Sequence, residues 1–354
     1  MIQASMPHAI LRRAFDTFMD RRLRELAPAD LPLEMRLDAF RRFGDHSLAY
    51  SATVQKDLLH WGDSQGFIAY GQMMGQALAL GDPIAAPLAR EALIARFIEA
   101  AAAPSFAEIS EPTAAILARH GYRVMRMGVD TVLDLASYDF SGGRKETVRY
   151  SERWLLKNGY SIGETWQFPE LAPAIKSLAK DWRKERIVHR REMGFLNRPF
   201  PREDEPLSRR FVLVGPDGTP VSVLYFDPLC RDGRVIGYLT AFKRRVTNAT
   251  SHAEIGLTKH AVDRFTREGV EKVMLGLSPL LDVEPSGFAE SARFRALMQR
   301  FYASPVVNRR IFNLQGHAAF KRRFHGREEP RYFAWKKGLP LLPFTALLRL
   351  SRAF

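Results

Sequence analysis

The chain has 354 residues, 46% of them apolar and 24 of them Phe; that excludes a disordered chain, and the length suits two domains. A formal charge of +14 predicts polyanionic partners: nucleic acid, anionic lipid or a phosphorylated substrate. One cysteine, Cys230, excludes an internal disulfide and a cysteine-rich zinc site.

Residues 8–26 predict an amphipathic helix with Ile10, Phe15, Phe18, Met19 and Leu23 on its apolar face. Mixed α/β patterning starts near residue 33. Glu34–Arg42 predicts a helix, Phe67–Tyr70 and Gln76–Leu80 paired strands, and "GDPIAAP" a strand break in which Asp82 is structural. Arg90–Ala102 (helix), Phe106–Ile109 (strand), "LARHGYR" (helix end) and Val129–Leu135 (strand) follow. In "SGGRKETVRYSERWLLKNG" the cations Lys145, Arg149, Arg153 and Lys157 stand four apart, a basic stripe on one helix. Tyr160–Trp166 predicts a strand.

A second cycle begins near Pro169. Ala172–Arg186 predicts a helix, and Phe211–Val214, Val221–Phe226 and Ile236–Ala241 a three-strand meander joined by "GPDGTP" and "RDGR" turns. Thr258–Glu268 (helix), Val273–Leu277 (buried strand), Phe288–Tyr302 (helix), a short strand near Ile311–Phe312, "AAFKRRF" (helix) and Arg331–Trp335 (strand) complete it. Residues 339–354 form an apolar tail carrying Arg349 and Arg352, a candidate membrane-surface anchor, as is the N-terminal helix. No run approaches the ~20 apolar residues of a membrane span, and no signal-peptide core is present, so a cytoplasmic protein, peripheral at most at the inner membrane, is expected.

Each half thus supplies a meander, a helix, a strand, another helix and a last strand, an order that suits a small acyltransferase fold used twice. The blocks "FGDHSLAY" (43–50), "FIAYGQMMGQALALGDPIA" (67–85), "HGYRVMRMGVDTVLDLASYDFSGGRKETVRYSERWLLKNGY" (120–160), "EMGFLNR" (192–198), "LGLSPLLDV" (275–283) and "IFNLQGHAAFKRRFHGREEPRYFAW" (311–335) carry a resemblance. Together they resemble the catalytic domain of the aminoacyl-phosphatidylglycerol synthases, the phosphatidylglycerol lysyl- and alanyltransferases, without that family's membrane flippase region. The resemblance implies an α/β (α+β) protein of two tandem GNAT-like acyltransferase folds joined by a basic helix. The expected divisions are an N-terminal helix (1–32), a first lobe (33–168) ending in the basic helix (143–158), a second, catalytic lobe (169–338) and the tail (339–354). It also implies aminoacyl-tRNA as donor, an anionic phospholipid or membrane surface as partner, a lipid hydroxyl as acceptor, no metal and no other cofactor.

Acyl transfer from an activated ester needs one proton acceptor and donors for the oxyanion, and no covalent nucleophile. Three carboxylates are candidate bases: Glu254 between the basic "FKRR" strand end and a helix, Asp282 after "LGLSPLL", and Asp227 at the end of a meander strand. Each also reads as a cap or turn residue. In the family pattern a basic stretch precedes an acid; here that acid is Glu254 or is lost. Glu192 and Glu254 are candidate holders of an aminoacyl ammonium. His189 and His252 are lone histidines that could carry protons. For phosphate the candidates are Lys145, Arg149, Arg153, Arg244, Arg245, Lys321, Arg323 and Arg331, with "WRKERIVHRR" (182–191) extending the track. Phe324 and Tyr332 read as core. An acyl-CoA-dependent enzyme is the rival; its pyrophosphate loop has one near match, "RVIGYL" (234–239), which lacks the closing small residue and reads as a strand. A non-catalytic tRNA- or lipid-binding relative is the other.

Overall fold

The computed structural model describes residues 31–101, 103–184, 193–201, 205 and 207–352, with Leu26 and Ala29. Residues 8–25 of the predicted N-terminal helix (8–26), residues 185–191 of the second basic patch, with His189, and Glu192 lie outside the described residues.

The first half runs α1 (Leu33–Phe43), α2 (Ala49–Val54), β1 (Leu59–Asp63), β2 (Gly66–Met73), β3 (Gln76–Leu80), β4 (Ile84–Ala85), α3 (Arg90–Ala100), β5 (Ser105–Ile109), α4 (Glu111–Arg119) and β6 (Arg123–Asp134). The second runs α5 (Glu146–Lys157), β7 (Ser161–Glu164), α6 (Ala172–Lys184), β8 (Arg209–Val214), β9 (Pro220–Arg231), β10 (Arg234–Arg245), α7 (Ala253–Arg267), β11 (Lys272–Pro279), α8 (Ala292–Ala303), α9 (Leu314–Arg322), β12 (Arg327–Trp335) and α10 (Leu341–Leu350).

All strands join one mixed sheet of order β1-β2-β3-β5-β12-β6-β11-β10-β9-β8-β7, with β4 beside β2. Each half holds an antiparallel meander whose last strand pairs in parallel with the strand after the next helix: β3 with β5, and β10 with β11. This is the GNAT-like order, present twice. The halves also exchange strands. The last strand, β12, enters the first half between β5 and β6, and β6 pairs on its other edge with β11. The sheet therefore runs through both halves without an edge between them.

One core cluster gathers Phe40, Leu78, Phe333 and Trp335; another gathers Val148, Leu155, Phe226, Phe265 and Phe324. The basic helix α5 lays Val148, Ser151 and Leu155 against α7. Gly256 permits that approach: a Cβ there would stand 2.5 Å from Leu155 Cδ1 and 3.2 Å from the Glu152 backbone.

Two local expectations differ. Ile311–Phe312 is no strand: Val307–Ile311 forms a wide helical turn, because the Asn308 amide donates to the Tyr302 and Ser304 carbonyls and its oxygen accepts from Gln315 N–H. The tail is a helix, α10, packed on β2 and β3 with Ala346 and Leu347 buried. Among the described residues no helix is long and apolar enough to cross a membrane.

Candidate functional site

The parallel pair β10/β11 holds register over Gly237–Leu239 and Lys272–Met274, then parts. The last tie is the Thr240 hydroxyl donating to the Leu275 carbonyl at 2.9 Å. Both strands carry irregularities there: β10 bulges between Thr240 and Phe242 against β9, and β11 between Met274 and Leu277 against β6. Gly276 takes φ +80°, a conformation that favours glycine. A cavity of about 250 Å³ opens in the fork, walled by β10, β11, Trp182, Phe312 and His317, with Glu108 and Lys321 lining it.

Glu108 reaches this cavity through a bulge. On β5, Ala107 faces Phe333 and Ile109 faces Tyr332 of β12, which leaves Glu108 as the unopposed residue at φ +58°. Burial pushes its carboxyl up to about 8, Asp130 and Asp82 add to this, and Arg331 and Lys321 oppose it. Lys321 arrives from α9 and donates to the carbonyls of Gly276 (2.6 Å) and Leu277 (2.5 Å). Burial and the nearby Lys243 bring its ammonium down to about 7, against Asp130 and Glu108. A carboxyl whose pKa is raised and an ammonium whose pKa is lowered toward neutrality thus line one cavity.

Trp182, Lys243 and His317 line both this cavity and an outer cleft of about 720 Å³, to which Arg245, Glu254, Phe320 and Arg323 contribute. Lys243 sits 3.6 Å from the Phe320 ring centre; burial lowers its pKa and Glu254 opposes. Arg245 stands 3.6 Å from Glu254. Ser251, Ile255 and Arg323 continue the cleft into a side recess of about 410 Å³ with Arg144, His252 and His325. His252 meets Ser151 at 3.1 Å and lies between Tyr150 and Trp154.

The structure brings together some sequence-predicted residues and separates others. Glu254, Arg245 and Arg323 share the outer cleft. Asp227 lies inside β9 and not at a strand end; it lines the inner cavity but is saturated by Arg198, which donates to it at 2.9 and 2.5 Å and to Glu205 at 2.8 and 2.7 Å. Arg244, read from the sequence as a phosphate candidate, is buried instead in the cavity wall, stacked between Trp182 and Phe200 and donating to the Ala179 carbonyl. Asp282 lines none of these cavities; it is exposed at φ +50° and pairs with Arg322 at 2.5 Å.

Lys321 and Arg331, read from the sequence as anion-facing, are buried instead, at 5% and 4% exposure. They face interior carboxylates: Arg331 stands 3.7 Å from Asp130 and 3.1 Å from Glu329. The stripe on α5 is partly neutralised, since Arg149 and Arg153 both pair with Glu146. Lys145 donates to the Asp139 carbonyl and covers the Tyr138 ring.

Sequence reasoning missed Glu108, Lys243, Arg144 and His317. Glu108 carried a signal: an acid inside "FAEI", a run otherwise fit for a fully buried strand. Cys230 is buried and its thiol is pushed up to about 11, as an inert side chain requires. "RVIGYL" lies within β10. Among the described residues no group of three His, Cys, Asp or Glu side chains could hold a metal ion.

Residues 38–335 match the family described as "Phosphatidylglycerol lysyltransferase, C-terminal". An uncharacterized Corynebacterium glutamicum protein is 23% identical over 309 residues, 84% of this chain and 38% of its own length. Phosphatidylglycerol lysyltransferase of Bacillus subtilis is 19% identical over 289 residues, 79% of this chain and 32% of its own length. The chain therefore spans just over a third, and just under a third, of these two relatives. Among solved structures, L-PGS from Bacillus licheniformis superposes with a TM-score of 0.73 at 18% identity, over 91% of this chain and 96% of that one. A C-terminal domain assigned to a lysylphosphatidylglycerol synthetase of Agrobacterium fabrum gives 0.72 at 22%, over 91% and 98%. At these identities the likeness establishes the fold.

Proposed function

The chain belongs to the phosphatidylglycerol lysyltransferase C-terminal family, and from that premise we propose that it moves an aminoacyl group from aminoacyl-tRNA to a hydroxyl of phosphatidylglycerol or a related lipid. The observation that supports this most is the forked cavity: a Glu108–Lys321 pair poised near neutrality at the inner end of a cleft lined by Lys243, Arg245 and Arg323.

In this reading the acceptor end of the tRNA lies along the outer cleft, its phosphates against Arg245, Arg323 and the Arg144 recess. Glu254, beside Arg245, accepts from the aminoacyl ammonium. The ester enters the fork. The lipid hydroxyl oxygen attacks the ester carbonyl carbon, and its proton passes to the Glu108–Lys321 pair. Backbone N–H groups where β10 and β11 part are the candidate oxyanion donors. The intermediate then collapses: the bond from carbonyl carbon to ribose oxygen breaks, and that oxygen leaves with the proton. No covalent enzyme intermediate forms. Asp227, held by Arg198, keeps the cavity wall in place.

The test incubates the protein with a pool of tRNAs charged with labelled amino acids and with phosphatidylglycerol vesicles, followed by mass spectrometry of the lipid. A labelled aminoacyl-lipid is expected. Label that stays on tRNA, or acetyl transfer from acetyl-CoA in its place, overturns the reading.

A further inference from the structure

From Ser291 to Arg327 the chain holds nine arginines and lysines and no acid; Glu290 and Glu328 bracket the stretch. Its first part faces solvent in a particular way. On α8 the exposed residues Arg293, Leu297, Arg300 and Phe301 recur at helical spacing, while Phe294 and Met298 face the core. The wide turn that follows adds Val306, 60% exposed, and Ile311, 45% exposed, beside exposed Arg309 and Arg310. None of Arg293, Arg300, Arg309 and Arg310 has an acidic partner among the described residues, whereas Arg295, on the same helix, pairs with Glu290.

Such a surface is costly in water alone. Large apolar groups stand exposed, and unneutralised guanidinium groups repel one another. An anionic bilayer relieves both, since apolar side chains enter the headgroup boundary while arginines meet lipid phosphates. An RNA backbone would relieve only the charge. The position fits as well: Ile311 is followed by Phe312, which lines the inner cavity and stacks on His317 with ring centres 5.0 Å apart. The tail helix α10 turns Ala346 and Leu347 onto the core beside β2 and β3 and exposes one large apolar residue, Leu341, at its first position.

We propose that the outer face of α8 and the Val306–Ile311 turn form the surface by which this chain docks on an anionic phospholipid bilayer, setting the cavity mouth at the headgroup layer. This rests on the lipid acceptor proposed above. The test is co-sedimentation of the full chain with vesicles of phosphatidylglycerol and phosphatidylcholine, or of phosphatidylcholine alone, at fixed ionic strength. The variants are Val306→Glu with Ile311→Glu, and Leu88→Glu as a control at a 98% exposed leucine outside the stretch. The wild type and L88E should bind the mixed vesicles, and V306E/I311E should bind at least about tenfold less, with circular dichroism unchanged.

Equal vesicle binding by all three proteins overturns the proposal. So does loss of tRNA binding in V306E/I311E with vesicle binding retained, which would make the face an RNA surface. If V306E/I311E proves unfolded, Arg309→Gln with Arg310→Gln replaces it, and retention of wild-type vesicle binding overturns the proposal equally. Transfer to phosphatidylglycerol in detergent micelles should stay at the wild-type rate in V306E/I311E and drop about tenfold on vesicles. Absence of transfer from wild type in both settings defeats the catalytic reading, while the sedimentation result still decides the docking face.

Discussion

Replacing Glu108 with Gln should stabilise the protein at neutral pH while removing its transfer activity. The folded protein holds the Glu108 proton to about pH 8, against an ordinary value of 4.5. Between those values folding takes up a proton, so stability is greatest below 4.5 and falls as pH rises. Lys321 acts in the opposite sense: its ammonium titrates near 7 when folded, against 10.5, so above pH 7 folding releases a proton and stability rises. The two windows overlap and offset between about 7 and 8. Lys321 is present in wild type and E108Q alike, and below pH 7 it is protonated folded and unfolded, so the interval from pH 4.5 to about 7 reports Glu108 alone. One proton over that interval, at ~1.4 kcal/mol per pH unit, is roughly 3 kcal/mol. Gln cannot titrate and fits the same space. Denaturant unfolding of wild type and E108Q should agree near pH 4.5 and diverge to roughly 3 kcal/mol in favour of E108Q near pH 7. Parallel curves across that range would refute the argument that the carboxyl is buried and protonated. The wild-type transfer rate should rise through pH 7 to 8, and the rise should be absent in E108Q.

Other consequences can be measured directly. Arg198→Ala leaves Asp227 and Glu205 without their shared guanidinium and should cost about 3–5 kcal/mol in denaturant unfolding, because a buried charge is left unpaired. Gly256→Ala drives a methyl into Leu155 and the α5 backbone, and should lower stability by about 1–3 kcal/mol in a thermal melt. Asp282→Asn breaks only an exposed pair with Arg322, so stability should change by less than about 1 kcal/mol and the transfer rate should hold. Arg245→Ala with Arg323→Ala should weaken tRNA binding and reduce the slope of log affinity against log salt by about 2 in a filter-binding series.

Much of the local order was legible in the sequence. Short apolar runs in "FIAY" and "QALAL" beside Gly71 and Gly75, turn residues in "GPDGTP" and "RDGR", and helical spacing in "ETVRYSERWLLK" are consequences of near neighbours, and their elements stand where that chemistry puts them. The short α2 and β1 were missed: "LHWGD" mixes His, Gly and Asp into its five residues and offers no apolar run, and the six residues of "AYSATV" show no helical apolar stripe. A family resemblance could be read from ordered blocks for the same reason: the blocks are local. The excess of cations was equally plain, and so was a cluster of them near the C-terminal strand.

Which cations face outward was decided only by the tertiary structure. Lys321, Arg322 and Arg323 are adjacent, yet one lies buried against strand carbonyls, one pairs with Asp282 and Glu328, and one lines the cleft. Helical rotation separates their directions, but the partners come from β11, the loop after it, β12 and α7, and all but Glu328 lie tens of residues distant in sequence. Glu108 and Lys321 stand 213 positions apart in the numbering. They share a cavity because β12 threads between β5 and β6, bulging β5 at Glu108, while α9 lowers Lys321 onto the fork of β10 and β11. Periodicity fixes which side of an element is apolar; strand exchange and the parting of two parallel strands fix which charges are stripped of water, and burial then sets their protonation.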